Sequence, residues 1–472
     1  MARTDTLPHF LTDVADAIRN KKGTSETINT SNFDTEIESI PSGDVDDYFY
    51  TEVYYQTPSV TAPTGIKFIK ECPDLTISNN TTTLINAFNG MMFAEKLPKV
   101  ICTNSITSME NMFQGCSKVV TLDLTGLVTS NVTTMKKMFN GMSSMHSITF
   151  PSNFDTGKVT NMDNMFTNCM YVYSWGSSYQ TPLYDLDVSV FDTKNVTTMQ
   201  GMFQCMNLCK SINVSGWTNE KVTNMSYMFS NGGAIDTPTG TMAEINFTNF
   251  KTPAVTNMSY MFYKYLGKSL DLSSFNFDNV TSIANMFCSC LFLEEIDLST
   301  FTCGKITNFS NIFSDCSKLK TLSLPSIDTT KTTNLSSMFR NCKALTSLSL
   351  PSTFNTQLVT ALSGMFIGCE SITNLDLSTF TAEKVKNTDQ MFQNCYKLEE
   401  LDLSNFDLTT NITSFSSMFQ NCGTQTTSGL TMVYVKDTDS QNWVLTKANG
   451  RPSTWSTANV IVAGSSDDLR NV

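Results

Sequence analysis

One phrase recurs thirteen times between residues 84 and 422, at a period close to 26 residues. Its clearest copies read VTNMDNMFTNC, ITNFSNIFSDC and TTNLSSMFRNC, each followed by an LDL-like triplet. The Phe of the Met-Phe pair marks the copies at Phe88, Phe113, Phe139, Phe166, Phe203, Phe229, Phe262, Phe287, Phe313, Phe339, Phe366, Phe392 and Phe419. Ten of the twelve gaps are 25, 26 or 27 residues, and the other two are 37 and 33. A unit this short cannot bury its apolar face alone, so the period predicts a stacked solenoid, an architecture used mostly as a binding surface.

Within one unit the triplet alternates apolar, polar, apolar, as in Leu122 to Leu124 or Leu401 to Leu403. That is a short strand with two side chains inward and one outward. The spacing of Met162, Met165 and Cys169 predicts one or two turns of helix with one face inward. The expected fold is an α/β repeat solenoid, right-handed, with a parallel β-sheet on one side and short helical turns on the other. Stacking like on like gives a Leu ladder, a Phe ladder and a ladder of sulfur. Eight of the fourteen cysteines (Cys116, Cys169, Cys290, Cys316, Cys342, Cys369, Cys395, Cys422) stand three residues after the marker Phe, a slot that Met91 and Met142 fill elsewhere. A place that accepts Cys or Met calls for a small polarisable group, so buried free thiols are expected ahead of disulfides or metal binding.

The distance from marker to strand is usually nine residues, but it is 20 from Phe166 to Leu186 and 16 from Phe229 to Ile245. From strand to next marker it is always 17 or 18. Both insertions, 171–182 and 232–241, therefore leave the solenoid along one edge, just before the strand. The first, YVYSWGSSY, brings Tyr171, Tyr173, Trp175 and Tyr179, whose rings suit the apolar faces of sugars. The outward strand positions stack six acids, among them Asp271, Asp297, Asp376 and Asp402. Carboxylates one strand spacing apart repel unless solvated, bonded to backbone or bridged. Solvent or backbone is the favoured reading, and a calcium ion bridging Asp271 with Asp297, or Asp376 with Asp402, is the alternative.

Only 16% of residues are charged and the net charge is -12. That excludes a phosphate backbone or an anionic membrane surface as the expected partner, and no apolar run is long enough to span a bilayer. No nucleophile, phosphate-loop or dinucleotide motif occurs, and His9 and His146 have no catalytic partner in view, so neither an enzyme nor a cofactor is expected. The N-terminus lacks the pattern of a secretory signal. The domain reading is an attachment segment at 1–41, a spacer and cap at 42–79, the solenoid at 80–425 and a C-terminal cap at 426–472. In that cap LTMVYV continues the sheet, DSQNWVL forms a helix and ANVIVA closes with a strand.

The phrase V-T-N-M-x-x-M-F-x-x-C with L-x-x-L-D-L-S-x-F resembles the BspA-type bacterial surface leucine-rich repeats, the unit also noticed in Mycoplasma lipoproteins of unknown function. The resemblance covers residues ~80 to 465 and implies adhesion to host proteins or glycans without catalysis. Residues 7–43 resemble a segment that opens tail-associated proteins in phages and prophages of Gram-positive gut bacteria. There Phe10, Val14 and Ile18 give a helical apolar stripe, and Phe33 and Ile37 a second short one, which need a surface to dock on. Together these imply a non-enzymatic tail fibre or receptor-binding protein of a virion. It would attach to tail or baseplate proteins through residues 1–41 and show the solenoid to a host-surface glycan or protein. The alternatives are a bacterial surface or secreted adhesin and a purely structural virion component. A homotrimer is what the tail resemblance suggests, and no heptad run demands one.

Overall fold

The computed structural model describes residues 74–470 apart from 78–80, 93, 103–104, 172–183, 232–243, 325–326, 427–430, 449 and 469. The attachment residues Phe10, Val14, Ile18, Phe33 and Ile37 lie outside the described residues. Short strands follow one another along the chain: β1 (Leu75–Thr76), β2 (Val100–Ile101), β3 (Thr121–Asp123), β4 (Ser147–Thr149), β5 (Tyr184–Asp187), β6 (Cys209–Asn213) and β7 (Glu244–Asn246). They continue as β8 (Ser269–Asp271), β9 (Glu295–Asp297), β10 (Thr321–Ser323), β11 (Ser347–Ser349), β12 (Asn374–Asp376), β13 (Glu400–Leu403), β14 (Met432–Val435) and β15 (Val460–Val462). Each pairing is parallel and joins neighbours in sequence, in the groups β1-β2, β3-β4, β5-β6-β7, β8-β9, β10-β11 and β12-β13-β14-β15. The chain is a leucine-rich-repeat solenoid of parallel strands.

The register places like on like, with Leu322 beside Leu348 and Leu375 beside Leu401. Leu122 and Leu124 point inward and are buried, while Thr121 before them and Asp123 between them are exposed. Where the sheet is interrupted, a second track carries the pairing. The third residue of the V-T-N phrase forms single parallel bridges from Thr83 through Ser108, Thr134, Asn161, Thr198, Asn224 and Asn257 to Ser282, and again from Asn308 through Asn334, Ala361 and Asn387 to Ser414. The step missing there, Ser282 to Asn308, is the one spanned by β8-β9. The phrase is thus explained residue by residue. Val159 goes into the core. Thr160 gives both its backbone N–H (2.8 Å) and its hydroxyl (3.1 Å) to the carbonyl of Thr133 one coil back. Asn161 makes the bridge and accepts the Asp163 N–H at 2.9 Å.

The side opposite in the repeat carries turns of another kind from the expected helices. Among the described residues the only α-helix is α1 (Thr438–Thr446). In the turns, Met165, Thr167 and Cys169 give their N–H groups to carbonyls three residues back, at 3.3, 3.3 and 3.0 Å, while Met162, Asn164, Phe166 and Asn168 donate to the next coil at 3.1, 2.7, 2.8 and 2.9 Å. A helix would send every N–H back along its own segment. This alternation needs a left-handed residue every fourth position, and Asn164 (φ 55) and Asn168 (φ 57) supply it. A left-handed residue with a Cβ costs about 1–2 kcal/mol, least for Asn, which is why the phrase reads M-x-N-M-F-x-N-C at Met162 to Cys169 and keeps an Asn at one of the two places in ITNFSNIFSDC and TTNLSSMFRNC.

All twelve successive pairs of marker Phe rings stack, with centroids 5.0–5.9 Å apart and planes within 23°. Burial contributes roughly 2–3 kcal/mol per Phe and stacking about 0.5–1.5 more. The series ends on Trp455, 5.0 Å from Phe419, while Trp443 of α1 meets Phe415 at 5.1 Å. Asp437 caps α1 by accepting the Ser440 N–H at 2.8 Å. The strand, helix and strand beyond residue 431 stand where LTMVYV, DSQNWVL and ANVIVA were read.

The eight column cysteines are buried, reduced thiols. Seven of them donate to the carbonyl of the marker Phe one coil back, from Cys116 to Phe88 at 3.1 Å through Cys395 to Phe366 at 3.1 Å. Burial pushes the Cys116 and Cys395 thiols up to about 12 from an ordinary 9.0. A folded value above the unfolded one means stability that is complete below pH 9 and lost as pH rises toward 12. The expected result is alkaline unfolding across that window. Replacing Cys116 and Cys395 by Ala should make the slope of stability against pH shallower, by at most about 1.4 kcal/mol per pH unit for each thiol, as read by urea titrations at stepped pH. Phe339→Ala, which interrupts the ladder on both sides, should cost about 3–5 kcal/mol and split unfolding into two transitions. A loss under about 1 kcal/mol in the same titration would show that the ladder contributes little.

Candidate binding face

Strand alternation sends two residues of each triplet outward, and stacking turns them into two columns. One runs Thr121, Ser147, Asp185, Ser211, Glu244, Ser269, Glu295, Thr321, Ser347, Asn374, Glu400. Its neighbour runs Asp123, Thr149, Asp187, Asn213, Asn246, Asp271, Asp297, Ser323, Ser349, Asp376, Asp402. Neither column holds a Lys or Arg, and ten of the side chains are carboxylates.

The second column holds its charge by a local device. Asp123, Asp187, Asp271, Asp297, Asp376 and Asp402 each accept the backbone N–H two residues on, at 2.8–3.0 Å. These are Asx turns, which end the strand and fix the carboxylate. Hydrogen bonds from Thr125 and from Ser273 hold the carboxyls of Asp123 and Asp271 below their ordinary range. The structure does bring the four proposed cation ligands together in pairs, Asp271 beside Asp297 and Asp376 beside Asp402. Among the described residues no cluster of three or more His, Cys, Asp or Glu side chains suits a metal. At Asp402 the chain provides its own cation: Arg470 donates to it, pairs with both oxygens of Asp468 at 2.9 Å and lies 3.7 Å over the Tyr434 ring. Arg470 stands 68 residues from Asp402, and no spacing in the sequence announces the contact.

Of the four aromatic residues proposed to stack on sugars, Tyr171 is placed, with its N–H on the Ser143 carbonyl at 3.0 Å. Tyr173, Trp175 and Tyr179 lie outside the described residues, as does the second insertion. At the far end of the first insertion Tyr184 stacks on His146, with centroids 4.0 Å apart and planes 15° from parallel. His146, for which the sequence offers no catalytic partner, so forms part of an aromatic pair at the edge of the sheet face. Aligning the repeats strand on strand puts His146 and Tyr184 at the same place, one residue before Ser147 and Asp185.

If the Asx turns alone hold the acids, millimolar calcium or a chelator should move the melting temperature by less than about 1 °C. Asp271→Ala should cost about 1 kcal/mol through the lost cap. A clear calcium-dependent rise in calorimetry would instead establish a bridging ion.

Comparison with known structures finds a leucine-rich repeat protein from Bacteroides ovatus, 16% identical over 80% of this chain and 87% of that one, with a TM-score of 0.43. Another, from Eubacterium ventriosum, is 15% identical over 67% and 84%, with a TM-score of 0.29. Those superpositions are loose, and the fold stands on the strand pairing described above. No curated protein matches. The family described as "Mycoplasma protein of unknown function, DUF285" matches residues 82–182, 177–242, 237–350 and 320–433, which together span the marker ladder from Phe88 to Phe419. The chain belongs to that Mycoplasma DUF285 family of repeat proteins.

Proposed function

We propose that the chain is a non-catalytic recognition protein, displayed outside a cell, whose solenoid presents its sheet face to a glycan or protein on another surface. The observation that carries this reading is the pair of outward columns: eleven coils of small or acidic side chains, with no base among them. Six of the acids are already fixed by backbone hydrogen bonds. A face whose side chains are held before contact loses little entropy on binding. Its sign suits a cationic patch on a protein, and its hydroxyls and carboxylates suit a polyol. The His146 and Tyr184 pair adds a stacking element at one edge.

Adhesion is the form of this reading that family membership favours. The virion-tail form rests on residues 1–41 alone, which the family match does not include. The first test uses labelled full-length chain on candidate cells. Glu244→Lys with Glu295→Lys spares the Asx turns while reversing the charge at two of the ten acidic positions, and should reduce cell binding at least tenfold. Undiminished binding would remove the sheet face from the proposal. Immunogold labelling with antibodies to residues 61–472 then separates the two forms: gold on cell walls establishes the adhesin, and gold at particle tails the virion protein.

A further inference from the structure

The residue two before each marker Phe is left-handed, and the column runs Asn86, Asn111, Lys137, Asn164, Gly201, Tyr227, Tyr260, Asn285, Asn311, Ser337, Gly364, Gln390, Ser417, with φ between 54 and 60°. Asn and Gly tolerate this conformation, whereas an aromatic residue there is an outlier. Two outliers stand on adjacent coils. Tyr227 (φ 59) and Tyr260 (φ 58) stack with centroids 4.6 Å apart and planes within 3°. Tyr263 stands edge-on to Tyr260 at 5.5 Å, and the Lys264 ammonium lies over its ring at 5.6 Å. All three rings are half-buried. The core beneath does not need them, because Phe229 and Phe262 already fill it and stack at 5.7 Å.

We propose that Tyr227, Tyr260 and Tyr263 form a binding ledge for a neutral, hexopyranose-containing glycan. The ledge lies on the turn side of the coil, apart from the two sheet columns, so the inference goes beyond the sheet-face reading. The turn imposes the left-handed backbone on every coil, so a bulky Tyr kept there twice in succession, where Asn or Gly fits at less cost, points to a task at the surface. The stack covers one face of Tyr227 and one of Tyr260, and the remaining ring surface is apolar and suits the C–H face of a pyranose, with the Tyr hydroxyls as donors beside it. The groups around the ledge are mostly uncharged. In the place next to Tyr227 a Cβ on Gly201 would meet the amide oxygen of Asn164 at 2.6 Å and that of Gln204 at 3.2 Å. The residue next to Tyr260 is Asn285, and the hydroxyl of Ser259, one residue before Tyr260, lies 2.6 Å from that of Ser282 on the next coil. Amides and hydroxyls around an aromatic surface match a neutral polyol better than an anion.

The substitution Tyr227→Asn with Tyr260→Asn restores the residue this column favours, so the variant should fold with an unchanged or raised melting temperature. Full-length chain is tested against immobilised maltohexaose, cellohexaose and mannohexaose by interferometry. The expected result is measurable binding to at least one of them and at least a tenfold loss in the double variant. Gln393→Ala with Gln420→Ala, on the same side of the solenoid, should leave that binding intact. Failure of the natural chain to bind any of the three, equal binding by the Tyr variant, or an equal loss in the Gln control would overturn the proposal. Cell binding by Glu244→Lys with Glu295→Lys reads the sheet face separately, so either reading can fail while the other stands.

Discussion

The solenoid depends on one interaction, the backbone hydrogen bond directed along its axis. In a globular domain most polar backbone is satisfied within an element or a sheet, but here each coil is completed by the coil beside it. Three tracks share that duty: the sheet, the V-T-N bridges and the alternate N–H groups of the turns. Because the tracks are interrupted at different steps, each coil junction from Thr83 to Ser414 keeps at least one parallel ladder. The apolar columns follow from this register, since a side chain held directly above its equivalent can only stack. The arrangement also creates an exposed last coil, which α1, Trp443, Trp455 and Arg470 close.

Much of this was legible in the repeat. Period, strand positions, inward leucines, the Phe ladder and the reduced thiol column all follow from aligning copies, because a residue type that recurs at one place reports one environment. The helical turns did not follow. Met162, Met165 and Cys169 do face inward, as helical spacing requires, but overlapping β-turns produce the same facing with a different backbone. The sign that separates the two is Asn164 and Asn168, whose type at that spacing speaks for left-handed conformation and against a continuous helix. Of the candidate site, the acid column was legible and its Asx turns, foreseen only as backbone bonding, needed coordinates. Arg470 was not legible, since contacts outside the repeat leave no periodic trace. Tyr227 and Tyr260 were readable in principle as departures from an Asn column, yet their meaning rests on a φ that the sequence does not print.

Two sides of the coil now differ in chemistry while sharing one scaffold. The sheet side is acidic, and in its second column the six Asp carboxylates are pinned by Asx turns. The turn side is rich in amides and carries the tyrosines. Both are rows of equivalent positions, so affinity on either can be built by repetition of weak contacts instead of one deep pocket. Past the first insertion the parallel register shifts once, between Tyr184 and Asp185, and then resumes with Leu186 beside Ile212.

The thiol column bears on where such a chain can exist. Its sulfurs are sealed behind the coils and donate to carbonyls, and burial keeps them from ionising at neutral pH, the form in which thiols are oxidised. Among the described residues the column therefore holds no covalent cross-link for a reducing compartment to break, and its buried thiols resist forming one in an oxidising compartment. It can be completed in one compartment and work in the other, with the same bonds in both.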